Sequence, residues 1–427
     1  MLRALWHVVA PLVAFALPAA LWIFWTHPGP ALAGTALDSQ NFAQIERGRY
    51  LTIVGDCASC HDDPKTKAPF AGGRPIETPF GNVLAANITP DRETGIGGWS
   101  DDEFVNSIRR GRSPHGKLLY PAMPYPHYAN ITKEDALAIR AYLNSVQPVR
   151  NQVTSDQLPF PLNMRIAMAA WNALFFQRDA FRPDLSQSAE WNRGAYLVQG
   201  LAHCGACHTP KDIFGADERS ADLQGGEVQG WFAPNITGDP SKGLGRWSVE
   251  DIVDYLKSGH NAAADATGPM AEEIGFSSTN MTDSDLKAIA TYLKSLSDRN
   301  GASPAPITAS DTRMTAGASI FAAQCSACHG SDGKGVPGLF PGFALSLPPH
   351  AADPTSLIRV ALEGARTVST AAEPTGPGMP SFAWKLGDAE IAAVLTYVRN
   401  SWGLAAPAVT ADEVAAARRS LAERAEH

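Results

Sequence analysis

All six cysteines of this chain fall into one pattern repeated three times: Cys57-Ala-Ser-Cys60-His61, Cys204-Gly-Ala-Cys207-His208 and Cys325-Ser-Ala-Cys328-His329. Cys-x-x-Cys-His is the attachment pattern of c-type haem. Its spacing lets two thiols add across the two vinyl groups of one porphyrin, and the adjacent imidazole then lies under the iron as the proximal ligand. A structural disulfide, a thioredoxin-like redox pair or half of a zinc site would each use the cysteines, but all leave the histidine without a role. A zinc ribbon would also bring two such pairs within about 15–20 residues. Here they recur 147 and 121 residues apart, so each acts alone. The expectation is three covalently bound haem c groups, attached through Cys57, Cys60, Cys204, Cys207, Cys325 and Cys328, with His61, His208 and His329 on the iron.

The sixth ligand decides what such a centre does, because an open iron reacts with oxygen or peroxide while a second strong ligand reserves it for electron transfer. Pro121-Ala-Met123-Pro124 follows His61 with Met123 62 residues on, and Gly268-Pro269-Met270 repeats that 62-residue interval after His208. Pro377-Gly378-Met379-Pro380 places Met379 50 residues after His329. Met123, Met270 and Met379 are therefore the candidate distal ligands, each expected in a rigid Pro/Gly-rich loop. Met281 is the nearest rival to Met270. His115, His127, His260 and His350 are the histidine alternatives, and Met164 and Met168 read as apolar filler. Trp99 and Trp247 read either as donors to a haem propionate or as aromatics packed against a helix.

The first two motifs lie in a longer repeat. Arg47-Gly48-Arg49-Tyr50-Leu51 returns as Arg193-Gly194-Ala195-Tyr196-Leu197, Asn87-Ile88-Thr89 as Asn235-Ile236-Thr237, and Ala141-Tyr142-Leu143 as Thr291-Tyr292-Leu293. Gly98-Trp99-Ser100 returns, with one position shifted, as Gly245-Arg246-Trp247-Ser248. The third copy lacks the Asn-Ile-Thr and Trp-Ser segments but keeps Gly317 and Tyr397. Gly48, Gly194 and Gly317 are expected to let the first helix of each copy approach the face carrying Tyr142, Tyr292 and Tyr397. Ser100 with Glu103, Thr132, Ser248, Thr282 and Asp388 read as helix starts, each followed by apolar residues at helical spacing. No alternating strands are visible, and the intervening stretches are Gly/Pro-rich loops.

Hydrophobic residues make up 44% of the 427-residue chain and charged residues 18%, enough for several cores and too little charge for a disordered tail. The net charge of −8, with no basic block, argues against a nucleic-acid partner. From Ala4 to Leu37 there is no charged residue, and Val8 to Trp25 is an unbroken apolar run. That run is long enough for a membrane anchor, and Arg3 ahead of it orients the remainder to the outside. Ala31-Leu32-Ala33 supports a cleaved signal peptide instead. No Gly-x-Gly-x-x-Gly, Gly-x-Ser-x-Gly or His-Glu-x-x-His motif occurs in a context for substrate chemistry.

On these motifs, with Leu119-Tyr-Pro-Ala-Met-Pro-Tyr-Pro126 and Pro-Gly-Met-Pro in the third copy, the chain resembles the three-haem cytochrome c subunit of bacterial membrane-bound dehydrogenases for alcohols, gluconate, sorbitol, fructose or aldehydes. The likeness runs from about Asn41 to Trp402. It implies a non-catalytic subunit that takes electrons from a separate flavin, pyrroloquinoline quinone or molybdenum subunit and delivers them to ubiquinone, with its haem domains on the periplasmic side of the cytoplasmic membrane. The expected fold is all-α: three tandem class I cytochrome c domains after an N-terminal hydrophobic helix. The boundaries are 1–37 for the anchor or signal, 38–150, 188–298 and 313–403 for the domains, 151–187 for an apolar linker, 299–312 for a second linker and 404–427 for a polar tail. Within the first linker, Phe160 to Phe176 reads as packing between domains or as a membrane or partner contact. The rivals are a free-standing redox carrier feeding other cytochromes or a terminal oxidase, and a haem peroxidase, which would need one iron to lose its methionine.

Overall fold

The computed structural model describes residues 41–153, 157–177, 180–297, 304–336 and 338–425. The hydrophobic N-terminal run lies outside them. Among the described residues no helix is long and apolar enough to cross a membrane. The chain divides into two compact units, Met1–Thr52 with Cys60–Phe181, and Ile53–Ser59 with Arg182–His427.

Helices dominate, placed by local signals. In the first repeat α1 (Phe42–Val54) precedes α2 (Cys57–His61), which carries the first motif, and α3 (Asp101–Arg110), α4 (Tyr125–Tyr128) and α5 (Lys133–Leu143) follow. Then come α6 (Ala167–Phe175), α7 (Ala189–Tyr196), α8 (Gly205–His208) with the second motif, α9 (Val249–Ser258), α10 (Gly268–Phe276) and α11 (Asp283–Ser295). The last repeat has α12 (Thr312–Gln324), α13 (Ser326–His329), α14 (Leu347–His350), α15 (Thr355–Glu363), α16 (Asp388–Val398) and α17 (Ala411–Ala425). The capping expected at Ser100 and Ser248 is present and reciprocal: Ser100 accepts from the Glu103 amide while Glu103 accepts from that of Ser100, and Ser248 pairs likewise with Asp251. Thr132 and Thr282 cap α5 and α11. At α16 the expected cap is displaced by one residue. Gly387 is the cap, its amide donating to Glu390, and Asp388 is the first helical residue.

Among the described residues three short antiparallel pairs interrupt the helices, where no alternating pattern is visible in the sequence. They are β1 (Pro75–Thr78) with β2 (Gly81–Leu84), β3 (Gly226–Val228) with β4 (Trp231–Ala233), and β5 (Ala365–Arg366) with β6 (Gly378–Met379). Strands of two to four residues are too short to show an alternating pattern.

In each repeat the first helix crosses a later one at glycine: α1 crosses α5, α7 crosses α11 and α12 crosses α16. A Cβ on Gly48 would lie 1.8 Å from the Ala138 carbonyl oxygen, one on Gly194 1.9 Å from that of Ala288, and one on Gly317 2.2 Å from that of Ala393. Tyr142, Tyr292 and Tyr397 stand next to these contacts, as expected. A bond absent from the motifs ties the same crossing in the first two repeats. Arg47 Nε donates to Asp135 at 2.9 Å, and Arg193 Nε and Nη2 donate to the two oxygens of Asp285 at 2.8 and 2.7 Å.

The described part of the polar tail, residues 404–425, packs against the third repeat. Leu404, Ala406, Val409 and Val414 are buried, and Arg418 on α17 donates to Asp388 and to the carbonyls of Ala383 and Leu386. The apolar stretch from Phe160 to Phe176 also has a definite seat within the first unit. Tyr120 donates to the Leu162 carbonyl and Tyr125 to Asn172, while Arg165 stacks over Tyr120. Trp171 and Phe176 meet the Tyr125 ring edge-on. Phe160, Ile166 and Leu174 remain exposed, and so does Met164, which is therefore not core filler.

Candidate haem-binding sites

The first motif occupies a short helix, and in the second and third the first cysteine, Cys204 or Cys325, caps the helix that carries the rest, which sets the two cysteines about one turn apart. None of the six cysteines is disulfide-bonded. Burial pushes the Cys204 thiol up to about 12 and the Cys325 thiol up to about 11, so both stay neutral in the apolar surroundings that a porphyrin needs.

The histidines are prepared differently from one repeat to the next. His61 Nδ1 lies 2.7 Å from the Ala86 carbonyl oxygen and His208 Nδ1 lies 2.7 Å from that of Pro234. A carbonyl only accepts, so Nδ1 carries the proton in both rings and Nε2 keeps its lone pair for a metal. Burial lowers the pKa of both imidazoles, partly offset by the same hydrogen bonds, and holds them in the neutral form that can ligate. His329 is also shifted down by burial. Its Nδ1 is buried without a hydrogen-bond partner among the described residues.

The carbonyls that receive those protons come from a segment whose role the repeat signalled without explaining. Ala86 and Pro234 each stand immediately before an Asn-Ile-Thr. Asn87 Oδ1 accepts from the Thr89 amide at 3.0 Å and hydroxyl at 2.7 Å, and Asn235 does the same for Thr237, both at 2.8 Å. These buried turns, at the ends of β2 and β4, fix the preceding carbonyl over the histidine.

The candidate methionines are half-buried but do not share the loop setting expected of them. Met123 is in a turn, held between buried Tyr120 and Tyr125. Met270 instead lies in the first turn of α10, after Gly268, where a Cβ would lie 2.7 Å from the Trp231 ring, and Met379 lies on β6 opposite Ala365. The rivals have other roles. Met281 is 2% exposed and packed in the core, and His260 pairs with Asp265. His350 Nε2 accepts from Arg246 at 2.6 Å. His127 is on α4, and His115 lies in the turn Pro114–Gly116. Of the two readings of Trp247, the structure favours packing: its indole donates to the Leu345 carbonyl at 2.8 Å.

That contact belongs to a broader junction inside the second unit. Ser356 Oγ accepts from the Phe232 amide and donates to its carbonyl, both at 2.9 Å, and Arg359 lies 4.5 Å over the Trp231 ring. Thr370 donates to the Ser258 carbonyl at 3.1 Å. The second and third repeats are thereby built as one body.

Thiols not joined in disulfides, neutral imidazoles with Nδ1 already engaged in two of three cases, and apolar surroundings all fit covalently held haem. Comparison with known proteins agrees. The cytochrome c family model matches residues 191–297 and 314–402. The gluconate 2-dehydrogenase cytochrome c subunit of Pantoea cypripedii is 40% identical over 91% of this chain and 92% of its own length. The fructose dehydrogenase cytochrome subunit of Gluconobacter japonicus is 36% identical over 91% and 84%. The cytochrome c subunit of the quinone alcohol dehydrogenase of Gluconacetobacter polyoxogenes is 37% identical over 90% and 86%. With cytochrome c regions, haem attachment motifs and likeness along nearly its whole length, the chain belongs to the family of cytochrome c electron-transfer subunits of dehydrogenases.

Proposed function

We propose that the chain holds three haem c groups and passes electrons from a catalytic dehydrogenase subunit to ubiquinone at the cytoplasmic membrane, its haem domains facing the periplasm. Cys57 and Cys60 with His61 and Met123 would hold the first group, Cys204 and Cys207 with His208 and Met270 the second, and Cys325 and Cys328 with His329 and Met379 the third. Bound haem supplies a one-electron iron couple, raised in potential by methionine ligation. The chain's own residues do the rest: Ala86 and Pro234 hold the Nδ1 protons of their histidines, buried aromatics exclude water, and the junction through Trp247, Ser356 and Arg359 keeps the second and third sites at a constant separation. The catalytic partner carries a flavin, pyrroloquinoline quinone or molybdenum centre. The observation that carries the reading is the threefold recurrence of an attachment motif with a candidate methionine downstream.

The test is gentle purification of the C-terminally tagged chain from detergent-solubilised membranes of its host. We expect three haems per chain, a co-purifying catalytic subunit whose substrate reduces them, and reoxidation by a ubiquinone analogue. A lone chain that exchanges electrons with many donors would instead establish a free-standing carrier.

A further inference from the structure

We infer that His203 is a positioning residue for electron exchange between the haems held at Cys57 and Cys204. The inference rests on the three-haem reading above. The segment Ile53–Ser59, which contains Cys57, belongs to the same compact unit as the second and third repeats. Ile53 and Val54 end α1, and the last carbonyls of a helix have no partner within it. Two donors of the second repeat supply what is missing. His203 Nε2 lies 3.3 Å from the Gly55 carbonyl oxygen, and Ser277 Oγ, at the end of α10, donates to the Val54 carbonyl at 3.4 Å. A carbonyl only accepts, so Nε2 of His203 carries a proton.

The same Gly55 oxygen lies 3.8 Å from Cys57 Sγ, the atom that would carry a thioether of the first haem. His203 immediately precedes Cys204, which would carry one of the second. The route from one sulfur to the other is therefore a carbonyl, an imidazole and a short run of backbone, with gaps of 3.8 and 3.3 Å. The backbone at His203 is bent to make this reach. Its φ of +38° lies in the left-handed region that residues with side chains rarely adopt, a conformation that persists where the surroundings hold it. The residues before the other two motifs do different work. Asp56 also has a positive φ, +50°, but it accepts from Ser59 Oγ at 2.7 Å inside its own loop, and Gln324 is the last residue of α12. In the exchange one electron leaves a ferrous centre and reduces a ferric one; no bond is made or broken and no proton is needed. His203 holds the two attachment loops at a fixed spacing and replaces an open gap by a hydrogen-bonded route.

The test uses the full, haem-loaded chain in a Met123→His background, which lowers the potential of the first haem and sets its spectrum apart from the other two. A flash-generated reductant delivers electrons, and reoxidation of the first haem by the second reads the exchange rate. His203→Phe keeps a ring but removes the donor; it should slow this step at least about fivefold, the weight of one neutral hydrogen bond, with three haems still bound. His203→Gln keeps an N–H at a similar reach and should restore most of the rate. An unchanged rate in H203F, or equal slowing in H203Q, overturns the inference and leaves the three-haem reading standing. Fewer than three haems in the wild-type chain overturns both. A measurement without substitution is NMR of the reduced wild-type protein labelled with nitrogen-15 at histidine. The His203 Nε2 proton should exchange slowly with water and show a nuclear Overhauser contact to Gly55 Hα, and a spectrum without that contact overturns the inference.

Discussion

Replacing Gly194 with alanine tests whether the crossing of α7 with α11 holds the second repeat together. The added Cβ would lie 1.9 Å from the Ala288 carbonyl oxygen, 2.6 Å from its carbon and 2.8 Å from Tyr292 Cβ. Two of these atoms are backbone, so no side-chain rotation relieves the clash, and α7 must part from α11 by more than about 1 Å to restore ordinary contact. Overpacking of this kind costs about 3 kcal/mol, and alanine regains about 1 kcal/mol of helix propensity, leaving a net loss of about 2 kcal/mol. For a unit of this size that corresponds to about 4–8 °C in Tm. The control is Gly275→Ala. Gly275 is also helical, but its Cβ would meet only Val368 Cγ2, at an ordinary 3.4 Å. G275A should match or slightly exceed wild type. The assay is denaturant unfolding of the haem-loaded chain followed by far-UV circular dichroism. A G194A protein within about 0.5 kcal/mol of wild type would refute the reasoning, since surface-like substitutions fall in that range.

Asp285→Ala removes the acceptor of both Arg193 bonds at the same crossing; we expect a loss of about 2 kcal/mol in chemical denaturation, and an unchanged midpoint would show the pair to be dispensable. Asn235→Ala releases the turn that holds the Pro234 carbonyl over His208, so the second haem should titrate at higher potential with haem content intact; a potential that does not move would separate the turn from the histidine. Burial pushes the Glu273 carboxyl on α10 up to about 7. Because its folded pKa is raised above the unfolded value, its contribution to stability is complete below about pH 4.5 and is lost as pH rises through about 7. Unfolding midpoints measured at pH 5 and pH 8 should therefore differ less in Glu273→Gln than in wild type, and equal differences would refute the assignment. Serine at Cys204 and Cys207 together should lower the haem count by one per chain, as read by pyridine haemochrome.

What could be read along the chain was chemistry confined to a few neighbouring residues. Five contiguous positions specify a haem attachment point, a Ser or Thr three residues before an acidic side chain starts a helix, and a glycine repeated at a constant place marks a close crossing. Each of these acts within one or two turns of backbone, so the spacing alone states it. The displaced cap at Gly387 and the unforeseen strand pairs fail for the same reason in reverse, because a turn or a two-residue strand leaves too short a pattern.

The sequence by itself determined the family's cofactor chemistry, three Cys-x-x-Cys-His motifs and the starts of most helices around them. Tertiary structure alone decided how those motifs differ. Ala86 and Pro234 act through backbone carbonyls, which every residue possesses, so nothing in their side chains announces that they lie over a histidine 25 or 26 positions earlier. The Trp247 indole finds a carbonyl 98 residues away, and the stretch around Trp171 closes over Tyr125. Such partners are chosen by the packing of distant segments, where an unmet donor must find whatever acceptor the fold delivers. At His329 the fold brings a stacked Phe343 ring against the same five-residue motif, a contact that no local pattern announces.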